Sequence, residues 1–305
     1  MKFLIVGGSG SVGQAVHRQL QMRGCQTELF TSKDPRGTFE AWLAGIDGVF
    51  LAIPTRDRGG VALGYMLDAL SNGVPVATAE KGSMAYHFDH LRPFLDRIGF
   101  SSTVGGGSGM LELLRHPHRP FVRLVGVVNG TCNYLFAEEG DPFEVLVRAQ
   151  ALKLCEPGAK GLAETVNAEI KDIILKLCIL FNLSGVCDEC LVPGDLGEAL
   201  FAEEEILRLL LARKYRLVVS ISPYVSRREP LGVHGRKRLW SIRAEFVDIG
   251  SVSFRLPRGA DNILVCTDCT GDTMTAFGPG AGPDVTATVL IADMLRLIEK
   301  SSVRV

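Results

Sequence analysis

Gly8-Ser9-Gly10-Ser11-Val12-Gly13 has the spacing that lets a backbone close around a pyrophosphate. In such a turn the first glycine permits the bend and the second lets the backbone approach the phosphates. The third lets a helix pack closely on a strand, and the helix N-terminus adds free N–H groups and partial positive charge. A second polar group follows at Thr31-Ser32-Lys33, with Arg36 close behind. A site for NAD usually carries Asp or Glu there to hold the ribose 2′-hydroxyl, whereas hydroxyls with Lys and Arg suit a 2′-phosphate. The expected cofactor is therefore NADP, with NAD possible; a solvated loop is the other reading of Lys33 and Arg36. Far along the chain, Asp172 and Lys176 stand at i and i+4 in an almost wholly apolar run, Ile173-Ile174-Leu175 and Leu177-Cys178-Ile179-Leu180. That spacing puts both charges on one helix face, and charges in so apolar a helix suit a cleft better than bulk water. An exposed ion pair of little energetic weight is the alternative.

The elements that must position these groups are legible in the apolar spacing. Residues 2–6 form a buried strand that runs straight into the glycine turn. Val12, Val16, Leu20 and Met22 make a helical stripe, and residues 27–30 a second strand. Strands at 48–53, 74–78 and 102–104 alternate with helices over 60–70 and around Leu91, Phe94 and Leu95. This alternation predicts an α/β chain with an N-terminal doubly wound parallel sheet of the Rossmann type. Ligands on such sheets lie beyond the carboxyl ends of the strands, where Pro54-Thr55, Lys81 and Gly105-Gly106-Gly107 fall. A further strand at 121–125 leads into a second, α+β domain. The expected plan is a nucleotide domain over 1–125, a catalytic and dimerisation domain over 126–280, and a C-terminal helix over 281–305 returning to the first domain.

Composition narrows the function classes. The 305 residues carry 33 basic and 34 acidic side chains, so no electrostatic excess favours nucleic acid or an anionic membrane as partner. No apolar run reaches the length of a membrane span, and the first apolar run stops at Gly7-Gly8, short of a secretory signal. A cytoplasmic protein with reduced cysteines is expected. Two CxxC pairs, Cys187/Cys190 and Cys266/Cys269, could supply four thiolates to zinc. They stand 76 residues apart in sequence, and ordinary thiols with no metal are the preferred reading. Arg227-Arg228 and Arg236-Lys237-Arg238 before Trp240 read as a solvated loop or intersubunit contact before an anion patch.

The stretch Gly126-Val127-Val128-Asn129-Gly130-Thr131-Cys132-Asn133-Tyr134 resembles the G-x-x-N-G-T-x-N-Y signature of the homoserine dehydrogenase family. Other segments resemble that family in the same order: Thr103 to Gly107, Lys81-Gly82 with Ala85, Ala149 to Pro157, Asp172 to Leu177, and Gly278 to Pro283. The resemblance spans nearly the whole chain. It implies hydride transfer interconverting homoserine and aspartate 4-semialdehyde, as in threonine and methionine biosynthesis, by a homodimer. It also implies a main proton relay at Lys176 oriented by Asp172, with Lys81 supporting position and charge. Gly130 and Thr131 match residues that contact substrate and nicotinamide. Glu156 matches the glutamate that meets the substrate ammonium, and Glu164, in a stretch that mimics the same motif, is its rival. Pro54, Thr55, Gly278 and Gly280 join Gly8, Gly10, Ser11, Val12, Gly13, Thr31, Ser32, Lys33 and Arg36 as expected cofactor contacts.

The chain also departs from the family. Glu80 stands where the family usually has Asn, and a carboxylate there could disturb the nicotinamide pocket. Ser101-Ser102 replaces an acid associated with a monovalent cation. Asp172 stands sixteen positions after Glu156, longer than the family pattern by about five. Asn167 and Ile170 stand where Asp and Gly are usual. A reductase of a related amino-acid semialdehyde, or a nucleotide-binding paralogue without turnover, are therefore the rival functions. With the chain ending at Val305, no regulatory domain and no feedback inhibition through one are expected.

Overall fold

The computed structural model describes residues 1–115, 117, 119–155, 161–197, 200–223, 240–280 and 282–303. They form two compact units, Met1–Gly107 with Pro283–Val305, and Ser108–Gly282. In chain order the first unit starts with β1 (Lys2–Val6), α1 (Ser11–Met22), β2 (Gln26–Phe30), α2 (Phe39–Trp42), β3 (Gly48–Leu51), α3 (Gly60–Ser71), β4 (Val76–Thr78), α4 (Gly82–Tyr86), α5 (Phe88–Leu91) and β5 (Ile98–Gly99). The second holds α6 (Met110–Arg115), β6 (Phe121–Val127), α7 (Gly130–Ala137), α8 (Pro142–Ala151), α9 (Leu162–Ser184), α10 (Glu203–Ala212), β7 (Tyr215–Pro223), β8 (Trp240–Asp248), β9 (Asp261–Asp268) and β10 (Thr273–Pro279). The last helix, α11 (Pro283–Val303), belongs to the first unit.

The first sheet is parallel throughout, in the order β2-β1-β3-β4-β5. The continuous apolar runs of β1 and β3 are what a sheet covered on both faces requires. On one side Phe3, Ile5, Phe50 and Ala77 meet Val16 and Leu20 of α1 and Leu290, Ile291 and Met294 of α11. On β2, Phe30 packs edge-on against Phe39, Trp42 and Tyr65. The strand order reverses between β1 and β3, and such a reversal opens a crevice beyond their carboxyl ends.

Helix α11 is latched by one buried acid. Asp293, 3% exposed, accepts the Ser101 N–H and the Ser101 hydroxyl at 2.8 Å each, and Arg296 lies 3.3 Å away. These bonds fold 101–103 into a 3-10 turn, which the Thr103 hydroxyl reinforces by donating to the Phe100 carbonyl. The strand expected over 102–104 therefore lies earlier, at β5.

The second sheet is antiparallel, in the order β10-β9-β6-β7-β8. Its central strand, β6, is the strand read from sequence at 121–125. Pairing with β7 and β9 puts it wholly in the second unit, which begins at Ser108 and not near residue 126. Helix α9 is about 35 Å long at 1.5 Å per residue, and it ends where Gly185 turns left-handed at φ +66.

Among the described residues no helix is long and apolar enough to cross a membrane, and no group of three His, Cys, Asp or Glu could hold a metal ion. Cys266 is buried in β9, where burial pushes its thiol up to about 12, while Cys269 is exposed. The basic run from Arg227 to Arg238 lies outside the described residues.

Replacing Asp293 strands the Ser101 donors in a buried site. D293A is expected to lower unfolding free energy by about 2–4 kcal/mol in urea titrations, a loss typical of buried charged hydrogen-bond partners. A change within 0.5 kcal/mol, on the order of a surface substitution, would contradict the latch.

Candidate active site

The glycine turn of the first unit has the backbone its spacing predicts. A Cβ on Gly13 would run into the Gly7 carbonyl and the Gly8 backbone, so only glycine lets α1 start this close to β1. Gly7, at φ +85, sits against Ala52 beyond β3, at the reversal of strand order. Gly10 is the cap of α1 and brings no side chain to its first-turn N–H groups; Ser9, Gly10 and Ser11 are exposed. Val12 is half-buried against the core. This cradle fits the pyrophosphate of a dinucleotide.

Beyond β2, Thr31 directs its N–H and hydroxyl to one oxygen of Asp34, at 2.7 and 2.9 Å. Asp34 is an acid near the ribose position that the sequence reading passed over, and its Oδ2 is occupied by Thr31. Ser32 and Lys33 are exposed. Arg36 lies over the Tyr65 ring, 4.2 Å from its centroid, and pairs with Asp68. Its guanidinium is thus held in place, and a guanidinium has five N–H donors.

Glu80 takes a structural part in the first unit. It is 2% exposed, and its carboxylate accepts Gly82 N–H at 2.6 Å, Ser83 N–H at 2.8 Å and the Thr55 hydroxyl at 2.5 Å. It therefore ties the segment after β3, with Pro54 and Thr55, to the start of α4. Lys81, half-buried, stands at that start.

In the second unit, α9 carries the charged cluster. Lys176, 6% exposed, pairs with Asp172 Oδ2 at 2.6 Å and donates to the Val128 carbonyl at 2.8 Å. Lys176 is buried and Asp172 half-buried, so this is not the fully solvated surface pair that the spacing alone also allowed. Val128 leads into Asn129, whose Oδ1 accepts the Cys132 N–H at 2.8 Å and caps α7. Asn129-Gly130 is thus a helix start rather than a hairpin turn. Gly130 is required there because a Cβ would stand 2.5 Å from the Ala260 carbonyl.

A third charged residue of α9 joins this cluster. Glu169 is 8% exposed and accepts from Asn129 Nδ2 at 2.5 Å. Burial, then the neighbouring Asp172, push its carboxyl above the ordinary range, while Asn129, Lys176 and Thr131 pull it back. Burial and then Glu169 also push the Cys155 thiol up to about 11 and the Cys132 thiol well above its usual value. The sequence reading missed Glu169. Its signal was the spacing, three residues before Asp172 and seven before Lys176, which puts it on the same helix face.

The remaining expected residues are distributed unevenly. Thr131, buried beside Glu169, donates to the Leu154 carbonyl at 2.5 Å. Glu164 is exposed in the first turn of α9, about 18 Å along the axis from Lys176 at 1.5 Å per residue. Glu156 lies outside the described residues. Gly278 is in β10 and Gly280 just after it, both in the second unit; Gly280 packs so closely on Asn262 that a side chain would collide with that amide.

A family model described as homoserine dehydrogenase matches residues 114–295. The homoserine dehydrogenase of Neisseria gonorrhoeae is 25% identical over 257 residues, which make up 79% of this chain and 55% of the relative. The chain spans about half the length of the curated relatives it matches. The crystal structure of a homoserine dehydrogenase from Thiobacillus denitrificans superposes with a TM-score of 0.71 at 19% identity, covering 99% of this chain and 74% of that one. A hyperthermophilic archaeal homoserine dehydrogenase in complex with NADPH gives a TM-score of 0.69 at 18% identity, covering 98% of each chain. At such identities the solved structures establish the shared fold.

The Glu80 anchor can be tested without any ligand. E80Q puts an NH2 group against a backbone N–H or the Thr55 hydroxyl, and is expected to lower unfolding free energy by about 1–3 kcal/mol in urea titrations, the usual cost of one unsatisfied buried donor. Wild-type stability would show that the carboxylate is not the anchor.

Proposed function

Since this chain belongs to the homoserine dehydrogenase family, we propose that it catalyses hydride transfer between a nicotinamide dinucleotide and the C4 carbonyl of aspartate 4-semialdehyde, forming or oxidising homoserine. The observation that carries the reading is the buried Lys176 ammonium, held by Asp172 and the Val128 carbonyl. An ammonium kept out of water can lend a proton or its charge to an oxygen that becomes an alkoxide.

The bound dinucleotide supplies or removes the hydride. The turn from Gly8 to Gly13 holds its pyrophosphate. Lys33 and Arg36 meet a 2′-phosphate, which makes NADP the preferred form; the Asp34 oxygen committed to Thr31 supports that preference. In the reducing direction Lys176 gives its proton to the carbonyl oxygen, and Asp172 keeps the ammonium aimed. In the oxidising direction Lys176 takes the hydroxyl proton. Lys81 is assigned a supporting charge, Gly130 and Thr131 shape the substrate contact, and Glu156 or Glu164 receives the substrate ammonium. The position of Glu164, far up α9 from Lys176, favours Glu156. The enzyme works as a cytoplasmic homodimer in amino-acid biosynthesis.

A second reading, a reductase of a related amino-acid semialdehyde, draws on Glu169 in the cluster. Steady-state assays with homoserine and each cofactor separate the two: turnover with homoserine supports the first, turnover with another hydroxy amino acid alone the second. Cofactor binding without turnover on any such substrate points to a non-catalytic paralogue. K176A is expected to lower kcat/KM by roughly 10²–10⁴-fold, the range for a proton-transfer group, with NADPH affinity by fluorescence titration unchanged. An unaltered rate would remove Lys176 from the mechanism.

A further inference from the structure

Glu169 is a buried carboxyl in the Lys176 cluster that the proposed reaction leaves unused. Its place follows from how Asn129 divides its amide. The amide nitrogen has two hydrogens. It lies 2.5 Å from Glu169 Oε2 and 3.2 Å from Asp172 Oδ2. The amide oxygen is fixed by the Cys132 N–H, so the group cannot flip without uncapping α7.

Asp172 Oδ2 is also the atom that holds Lys176, at 2.6 Å. Asn129 and Lys176 therefore share one acceptor oxygen. The short bond is to Glu169 and the long one to Asp172, so Glu169 holds the amide more closely than Asp172 does. We propose that Glu169 is a positioning residue: it retains the Asn129 amide and so leaves Asp172 Oδ2 to the Lys176 ammonium. The inference rests on the assignment of Lys176 as proton relay.

The groups that face Glu169 are Asp172 and Lys176 on its own helix, Asn129, Thr131 and Cys132 at the start of α7, and Cys155 beyond α8. Burial and Asp172 make Glu169 take a proton at higher pH than an ordinary carboxyl. A protonated Glu169 is a weaker acceptor for the amide. Its hold on Asn129 therefore loosens as pH falls through its raised titration range, and Asn129 then returns toward Asp172.

The test compares E169A and E169Q with wild type. Gln keeps a carbonyl oxygen for the amide but does not titrate. E169A is expected to lower kcat by about tenfold, within the range for a mispositioned group, with KM for the cofactor unchanged. E169Q is expected to recover most of kcat and to lack the acid limb expected of wild type in kcat against pH. Wild-type kcat in E169A, or an unchanged acid limb in E169Q, overturns the proposal. Should E169A fail to fold, the E169Q profile decides. Crystal structures judge it independently of substrate. In E169A, or in E169Q if the first does not fold, the two outcomes differ plainly. In E169A the amide is expected on Asp172 and Lys176 off Oδ2; in E169Q the amide is expected to stay on residue 169. The opposite arrangement in either variant overturns the proposal. If wild type fails to turn over homoserine while these geometries hold, the reading of function fails and the positioning of Lys176 stands.

Discussion

Taking an ammonium out of water costs several kcal/mol, and a protein can hold one buried only with a partner of good geometry. Lys176 meets that condition with a carboxylate at 2.6 Å and a backbone carbonyl at 2.8 Å. Stability alone does not account for the pair, because packed apolar side chains of similar volume often stabilise a fold as well as a buried ion pair does. What such a pair offers is an ammonium of fixed direction in a poorly screened setting, where charge acts more strongly than in water.

The surrounding architecture serves that requirement. The apolar faces of α9 bury the helix, and the stripe formed by Glu169, Asp172 and Lys176 is turned to the start of α7. The cap of α7 is the same Asn129 that touches both carboxylates, so a local rule of helix termini and the electrostatics of the cluster meet in one side chain. Gly130 lets α7 come close to the loop before β9, and the carbonyl just before that cap receives Lys176. In the first unit the same economy of parts appears in Glu80, one carboxylate joining two segments beyond the ends of β3 and β4.

Much of this was legible in the residues. The glycine turn sits where spacing and context placed it, because Gly13 answers to a steric rule that few other contexts impose. The i, i+4 pair was legible as a shared face, and the burial of Lys176 as a consequence of the apolar run around it. Glu169 was not, because the reading paired only Asp172 with Lys176 and did not follow the helix face one turn back. The strand at 121–125 was seen, but its sheet was not, since an apolar run does not state its partners; β6 declares them only through its register with β7 and β9. The 3-10 turn at 101–103 depends on Asp293, 192 residues away, and no local signal could have announced it.

The central claim is that Lys176 meets the oxygen that gains or loses a proton. A crystal structure of the chain with NADP and homoserine bound tests it most directly. Lys176 Nζ is expected within about 3 Å of the substrate hydroxyl, the reach of a proton-transfer group, with Asp172 still behind it. A hydroxyl met by some other side chain, with Lys176 turned away from it, would contradict the account.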